Sequence, residues 1–252
     1  ALPHALESGD EQEHARVADL LCTALMFGPA HVNEAIDRVE KILASAGRNA
    51  VLRAHVSTSL AGLLAMRGDV ERARALCVEA GAVYEELGLR LYKVGWTDIV
   101  ASVEALAGDA QAAVDALRNG YAVVDAGGQD SLRARFATLL AFQLADNGDQ
   151  AAARFFAEVA ETAAVPLDDD STARLLAAQA LLATETPDGG RLARDAVIAS
   201  ERTDNLNLQG AMHLTLARVT GDPLEAEVAK QLFEAKGNVA AAAATELWSL
   251  QR

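Results

Sequence analysis

Aromatic side chains are scarce in this chain, at 4% of 252 residues. With few β-branched runs beside them, that scarcity argues against a sheet-built core. Basic charge is also in deficit: 22 Lys and Arg face 36 Asp and Glu, a formal net charge of −14. Direct nucleic-acid binding is thereby excluded as an expectation, because displacing phosphate counterions takes clustered cations. Only two cysteines occur, Cys22 and Cys77, 55 positions apart in helix-like sequence. They predict buried free thiols in a reducing cytoplasm and no disulfide framework. No apolar run reaches the roughly 18 residues that span a bilayer, and no basic segment precedes an apolar one near Ala1. The expectation is a soluble cytoplasmic protein with no membrane partner.

What is present is alanine, roughly a fifth of the chain, within a hydrophobic content of 51%. Small apolar residues of high helix propensity favour closely packed helices. A turn signature recurs at Arg67-Gly68-Asp69, Ala107-Gly108-Asp109 and Asn147-Gly148-Asp149, in steps of 40. Five residues after each glycine stands Ala73, Ala113 or Ala153, and Ala193 extends the column behind a degenerate turn at Pro187-Asp188-Gly189-Gly190. Gly28-Pro29 precedes the series by 40, and Gly221-Asp222 leads to Ala226 in a weaker last unit. Apolar spacing before the turns (Val56, Leu60, Leu63, Leu64) and after them (Leu76, Val83, Leu87) is helical. Each glycine suits the left-handed end of one helix and each aspartate the N-cap of the next. Further small columns run through Ala61, Ala101, Ala141 and through Ala80, Gly120, Ala160, Ser200. Val56, Trp96, Phe136 and Leu176 form a column of larger residues, expected to fill the seams between units.

The expected fold is all-α: a right-handed α-solenoid of about six antiparallel helix pairs with a 40-residue period. It is one domain over 1–252, with an N-terminal pair at 1–46, core repeats at 47–220 and capping helices at 221–252. The columns Ala61/Gly68/Ala73/Ala80, Ala101/Gly108/Ala113/Gly120 and Ala141/Gly148/Ala153/Ala160 resemble the tetratricopeptide signature. The period departs from the usual value of about 34, and Glu85 stands where a closing proline is usual, which predicts longer second helices. The segments 84–91, Thr203-Asp204-Asn205-Leu206 and Lys236-Gly237-Asn238-Val239-Ala240-Ala241-Ala242 are similar to the C-terminal helical-repeat region of large bacterial signalling proteins. In such proteins the repeats follow an ATPase module accompanied by an adenylate or guanylate cyclase or a DNA-binding output domain. The resemblance implies a regulatory, partner-binding module within a longer chain, consistent with a start that is not methionine; the cyclase and nucleotide-binding motifs do not occur in the sequence.

Motifs that would carry chemistry are missing: no phosphate loop with lysine, no G-x-G-x-x-G, no G-x-S-x-G and no H-E-x-x-H. His4, His14, His31, His55 and His213 share no metal-ligand spacing. The Asp168-Asp169-Asp170-Ser171 run reads as a helix start whose carboxylates meet the positive end of the dipole. The Arg67-Gly68-Asp69 tripeptide reads as a repeat turn, not an adhesion signal. No catalytic residue, metal or cofactor is expected.

What remains is a surface. The groove positions of the tetratricopeptide pattern fall on His55, Thr58 and Gly62, on Gly95, Asp98 and Ser102, and on Arg135, Thr138 and Phe142. These mix hydrogen-bonding groups, a cation and an aromatic, as a recognition groove does. The leading expectation is a non-catalytic module that binds a protein or peptide segment, or packs on domains of its own parent chain. The alternative is a small-molecule or peptide sensor with an enclosed pocket near Trp96, Phe136 and Phe142; an all-helical enzyme is the lesser one. The charge of −14 serves solubility first and would favour a basic partner second.

Overall fold

The computed structural model describes residues 11–250, with side chains from 15 onward. His4, the His14 side chain and the outer ends of the 1–46 and 221–252 segments lie outside the described residues. Thirteen helices and no strand occupy the described residues. In chain order they are α1 (Glu11–Phe27), α2 (Val32–Ser45), α3 (Ala50–Arg67), α4 (Val70–Glu86), α5 (Arg90–Leu106), α6 (Ala110–Ala126) and α7 (Asp130–Asp146). Then follow α8 (Gln150–Glu161), α9 (Asp169–Leu182), α10 (Pro187–Ser200), α11 (Leu206–Thr220), α12 (Pro223–Lys236) and α13 (Val239–Leu250).

The period has a local origin. Helices α4 to α8 begin at residues 70, 90, 110, 130 and 150, a step of twenty. Each of α4 to α7 has 17 residues, so the two helices of a unit are equal and the second is not the longer. Turns of two residues (68–69) or three (87–89, 107–109, 127–129, 147–149) join the helices from α3 to α8, and the same closure recurs at every one. Gly68, Gly108 and Gly148 have φ of 92°, 83° and 82°, the left-handed region that a side chain would strain. The following amide then reaches back to the helix: Asp69 N–H to the Leu64 carbonyl, Asp109 to Glu104 and Asp149 to Leu144, each at 2.9 Å. Gly88 and Gly128 do the same for the turns between units.

Three turn expectations need correction. Asp109 and Asp149 cap the next helix, accepting the Ala112 and Ala152 amides at 3.0 and 3.1 Å, but Asp69 caps nothing. Its carboxylate turns to Arg67 at 3.6 Å. Pro187 to Gly190 is not a turn but the start of α10, with proline in the first helical positions where its missing N–H costs nothing. Gly28 is not among the left-handed glycines; among the described residues the first of those is Gly47.

Successive helices pack pairwise, and the first helices of neighbouring units also touch, α1 on α3, α3 on α5, α7 on α9 and α9 on α11. The small columns lie at these contacts: Ala73, Ala113, Ala153 and Ala193 are all 0% exposed. The larger column seats in hollows that small residues leave. A Cβ on Gly120 would stand 2.2 Å from a Phe136 ring carbon, and one on Gly81 would stand 2.7 Å from the Trp96 ring.

The last unit returns to the first. Helix α13 packs on α3, and Asn238 donates to Asn207 at 2.9 Å. The Lys236 ammonium, fully buried, donates to the carbonyls of Leu25, Gly28 and Ala30 at 3.0, 2.7 and 2.9 Å. Its three donors thus meet three acceptors at the C-terminal end of α1, where carbonyls lack helical partners and the dipole is negative. Burial pulls this ammonium down to about 8, with Asp204 opposing. Arg218 on α11 pairs with Asp146 at the end of α7.

Candidate functional site

A cavity of about 470 Å³ is lined by α1, α3, α5 and α7 with Tyr84 of α4. Helical spacing builds each wall. Asp19, Thr23, Met26 and Phe27 lie three or four apart on one face of α1; His55, Thr58 and Ser59 project from α3; Tyr92, Trp96 and Ile99 from α5; Leu132, Arg135 and Phe136 from α7. Of the inner neighbours around it, α5 and α7 pack least closely.

Its polar groups converge in two places. Across the gap, Arg135 Nη2 donates to Asp98 Oδ2 at 2.7 Å. The Asp98 carboxylate raises the Arg135 pKa above the ordinary guanidinium value against the opposing effect of burial, and Asp170 and Asp168 add to it. Burial alone would raise the Asp170 carboxyl, but Arg174 at 2.7 Å, Arg135 and Asn205 together hold it below its usual range. Aspartates and arginines therefore alternate from α5 through α7 to α9.

The second place is aromatic. Tyr84, buried, meets Thr58 hydroxyl to hydroxyl at 3.4 Å, and Thr58 donates to the Ala54 carbonyl at 2.9 Å. Burial pushes the Tyr84 phenol up. Tyr92 stacks on Tyr84 with centroids 5.9 Å apart, and its ring meets His55 edge-on at 6.0 Å. His55 Nε2 abuts the Asp19 carboxylate, yet the ring N–H is not aligned on it and Nε2 makes no hydrogen bond. The Trp96 indole donates to the Cys77 carbonyl at 2.8 Å, which fixes its plane in the wall.

Of the residues that the sequence places in a groove, the structure brings His55, Thr58, Gly95, Asp98 and Arg135 to this cavity. Ser102 is exposed, its hydroxyl donating to the Asp98 carbonyl at 3.1 Å. Thr138 is 0% exposed, donates to the Arg135 carbonyl at 2.7 Å and does not line this cavity. Gly62 is buried beneath Met26. Phe142 lies elsewhere, in a second recess of about 310 Å³ with Asp146, Arg218 and Phe233, where the C-terminal helices meet the ends of α5 and α7. The pocket expected near Trp96, Phe136 and Phe142 is thus two recesses, the first two residues in one and the third in the other. Asp19, Tyr84 and Tyr92 were not anticipated; Asp19 and Tyr92 leave a trace in the sequence, standing 40 positions before Ser59 and Leu132 in inward columns, and Tyr84 leaves none.

Elsewhere, Asp168 caps α9, accepting the Ser171 amide at 2.7 Å, as the helix-start reading requires. Cys22 and Cys77 are buried and unpaired, and burial pushes both thiols up to about 12. His31 accepts the Asn33 amide at 3.2 Å, and His213 meets Glu225 at 2.6 Å. Among the described residues no group of three or more His, Cys, Asp or Glu side chains is placed to hold a metal ion, and no helix is long and apolar enough to cross a membrane. No family model matches the chain, and no curated protein matches it.

Proposed function

We propose that this chain is a non-catalytic recognition module that receives a compact ligand, a small molecule or a short peptide segment, in the cup formed by α1, α3, α5 and α7. One observation carries the reading. Four helices converge on a cavity of about 470 Å³ whose lining mixes aromatic rings with Asp19, His55, Asp98 and Arg135. That volume and its mix of aromatic walls with a few convergent polar groups suit a compact ligand. The array is read as a right-handed superhelix of tetratricopeptide type, serving as the regulatory end of a bacterial signalling protein of cyclase or transcriptional kind. Ligand occupancy would reach the parent chain by shifting the population of closed arrays, since the cup and the closure share α1 and α3.

Gly95 provides the test. A Cβ there meets nothing within 4 Å, so Gly95→Leu can place its side chain in the cup from a Cβ that clashes with nothing, and it replaces a mid-helix glycine with a better helix former. Thermal-shift measurements against amines, carboxylates, phosphates, sugars and short peptides should find a compound that raises the wild-type melting temperature and leaves Gly95→Leu unmoved. A protein partner whose capture survives Gly95→Leu, with no compound acting on the wild type, would overturn the cup. A second reading, docking of a protein segment on the outer helices, draws support from Val78 and Phe155, 71% and 58% exposed.

A further inference from the structure

The charges lining the cup do not balance. Two carboxylates, Asp19 and Asp98, face a single guanidinium, Arg135, and Arg135 is committed to Asp98 at 2.7 Å. Asp19 is left with His55, whose Nε2 makes no hydrogen bond to it. The Asp19 side chain is 47% exposed, so it is reachable from the cavity. Tyr92 lines the same cavity and is 47% exposed, its ring held by the stack on Tyr84 at 5.9 Å and the edge contact with His55 at 6.0 Å. A carboxylate and an electron-rich ring that line one cavity and both adjoin His55 attract an organic cation there through charge and through the ring quadrupole. A net charge of −14 draws cations toward the molecule and disfavours anions.

Building on the cup reading, we infer that Asp19 and Tyr92 form a seat for an organic cation, a primary amine or a guanidinium, presented by a free small molecule or by a lysine or arginine side chain of a peptide. The carboxylate of Asp19 accepts the cation's N–H groups. Tyr92 covers its apolar side, and the aromatic and aliphatic wall around Trp96 and Ile99 takes the alkyl stem.

Calorimetric titration tests this with agmatine as the free cation, a capped Gly-Arg-Gly peptide as the peptide source, and the same peptide with citrulline as the neutral match. The wild type should bind agmatine or the arginine peptide and ignore the citrulline peptide. Asp19→Asn, an isosteric change at a half-exposed site, should weaken that binding about tenfold or more with the melting temperature unchanged, and Tyr92→Leu should weaken it by a smaller factor. Binding of the arginine peptide alone assigns the cation to a peptide; binding of agmatine assigns it to a small molecule. Equal binding to wild type and Asp19→Asn, or equal binding of the citrulline match, overturns the seat. If an anionic or neutral compound binds the wild type and is lost in Gly95→Leu while both cations fail, the cup stands and the cation assignment falls. If nothing binds at the cup, both fall.

Discussion

Gly120 shows how single residues set this packing. Its missing Cβ is the space that Phe136 occupies, and Thr97 closes the other side at 2.3 Å from where that Cβ would be. Gly120→Ala should therefore destabilise the protein by about 1–3 kcal/mol despite alanine's better helix propensity, because overpacking outweighs the propensity gain. Ala113→Leu, in a column that is 0% exposed, should cost about as much; an unchanged melting temperature in both would contradict the assigned contacts. Cysteine chemistry follows from burial in the same way. With both thiols pushed up to about 12, almost no thiolate is present at pH 8, and alkylation of Cys22 and Cys77 should proceed only as fast as the chain opens. Rapid alkylation under native conditions would contradict that burial.

At the scale of the helix, three nearly identical turns should respond differently to one substitution. Asp109→Ala and Asp149→Ala each remove a side-chain cap and should lower stability by about 1 kcal/mol. Asp69→Ala removes only an exposed contact to Arg67 and should stay within about 0.5 kcal/mol of wild type. Chemical denaturation of the three variants side by side measures this. Equal losses would mean that the aspartate matters for its charge near the helix start and not for its hydrogen bond.

For the whole molecule, the decisive contact is the one between its ends. An open repeat array touches only neighbouring units, so its terminal units fray first. Here Lys236 joins α12 to the end of α1 across 206 to 211 positions of sequence. Lys236→Met would leave three carbonyls without their donor and should cost roughly 3 kcal/mol. More diagnostic is where the loss appears. In the wild type, amides of 24–31 and of α12 should exchange hydrogen together, close to the global rate; in Lys236→Met both should exchange faster while the middle units hold. Uniform acceleration along the chain would mean that closure contributes no separate stability.

The helix pairs, their 40-residue period and the buried small columns were determined by the sequence alone. Each depends on residues within about one turn or one unit of each other: glycine ends a helix because of its own backbone freedom, and an alanine column is small because two neighbouring helices meet there. His55, Thr58, Asp98 and Arg135 were legible for the same reason, since inner positions repeat with the period. Tertiary structure decided the rest. How far the array curls is a small rotation per unit summed over the whole chain, and no local pattern records that sum. It places α13 on α3, divides the inner face into two recesses, removes Phe142 from the cup and sets Asp19 of the first helix against His55 and Tyr92. Lys236, which reads in sequence as an ordinary C-terminal basic residue, becomes a buried donor only because the curl delivers it to the carbonyls at and just beyond the end of α1.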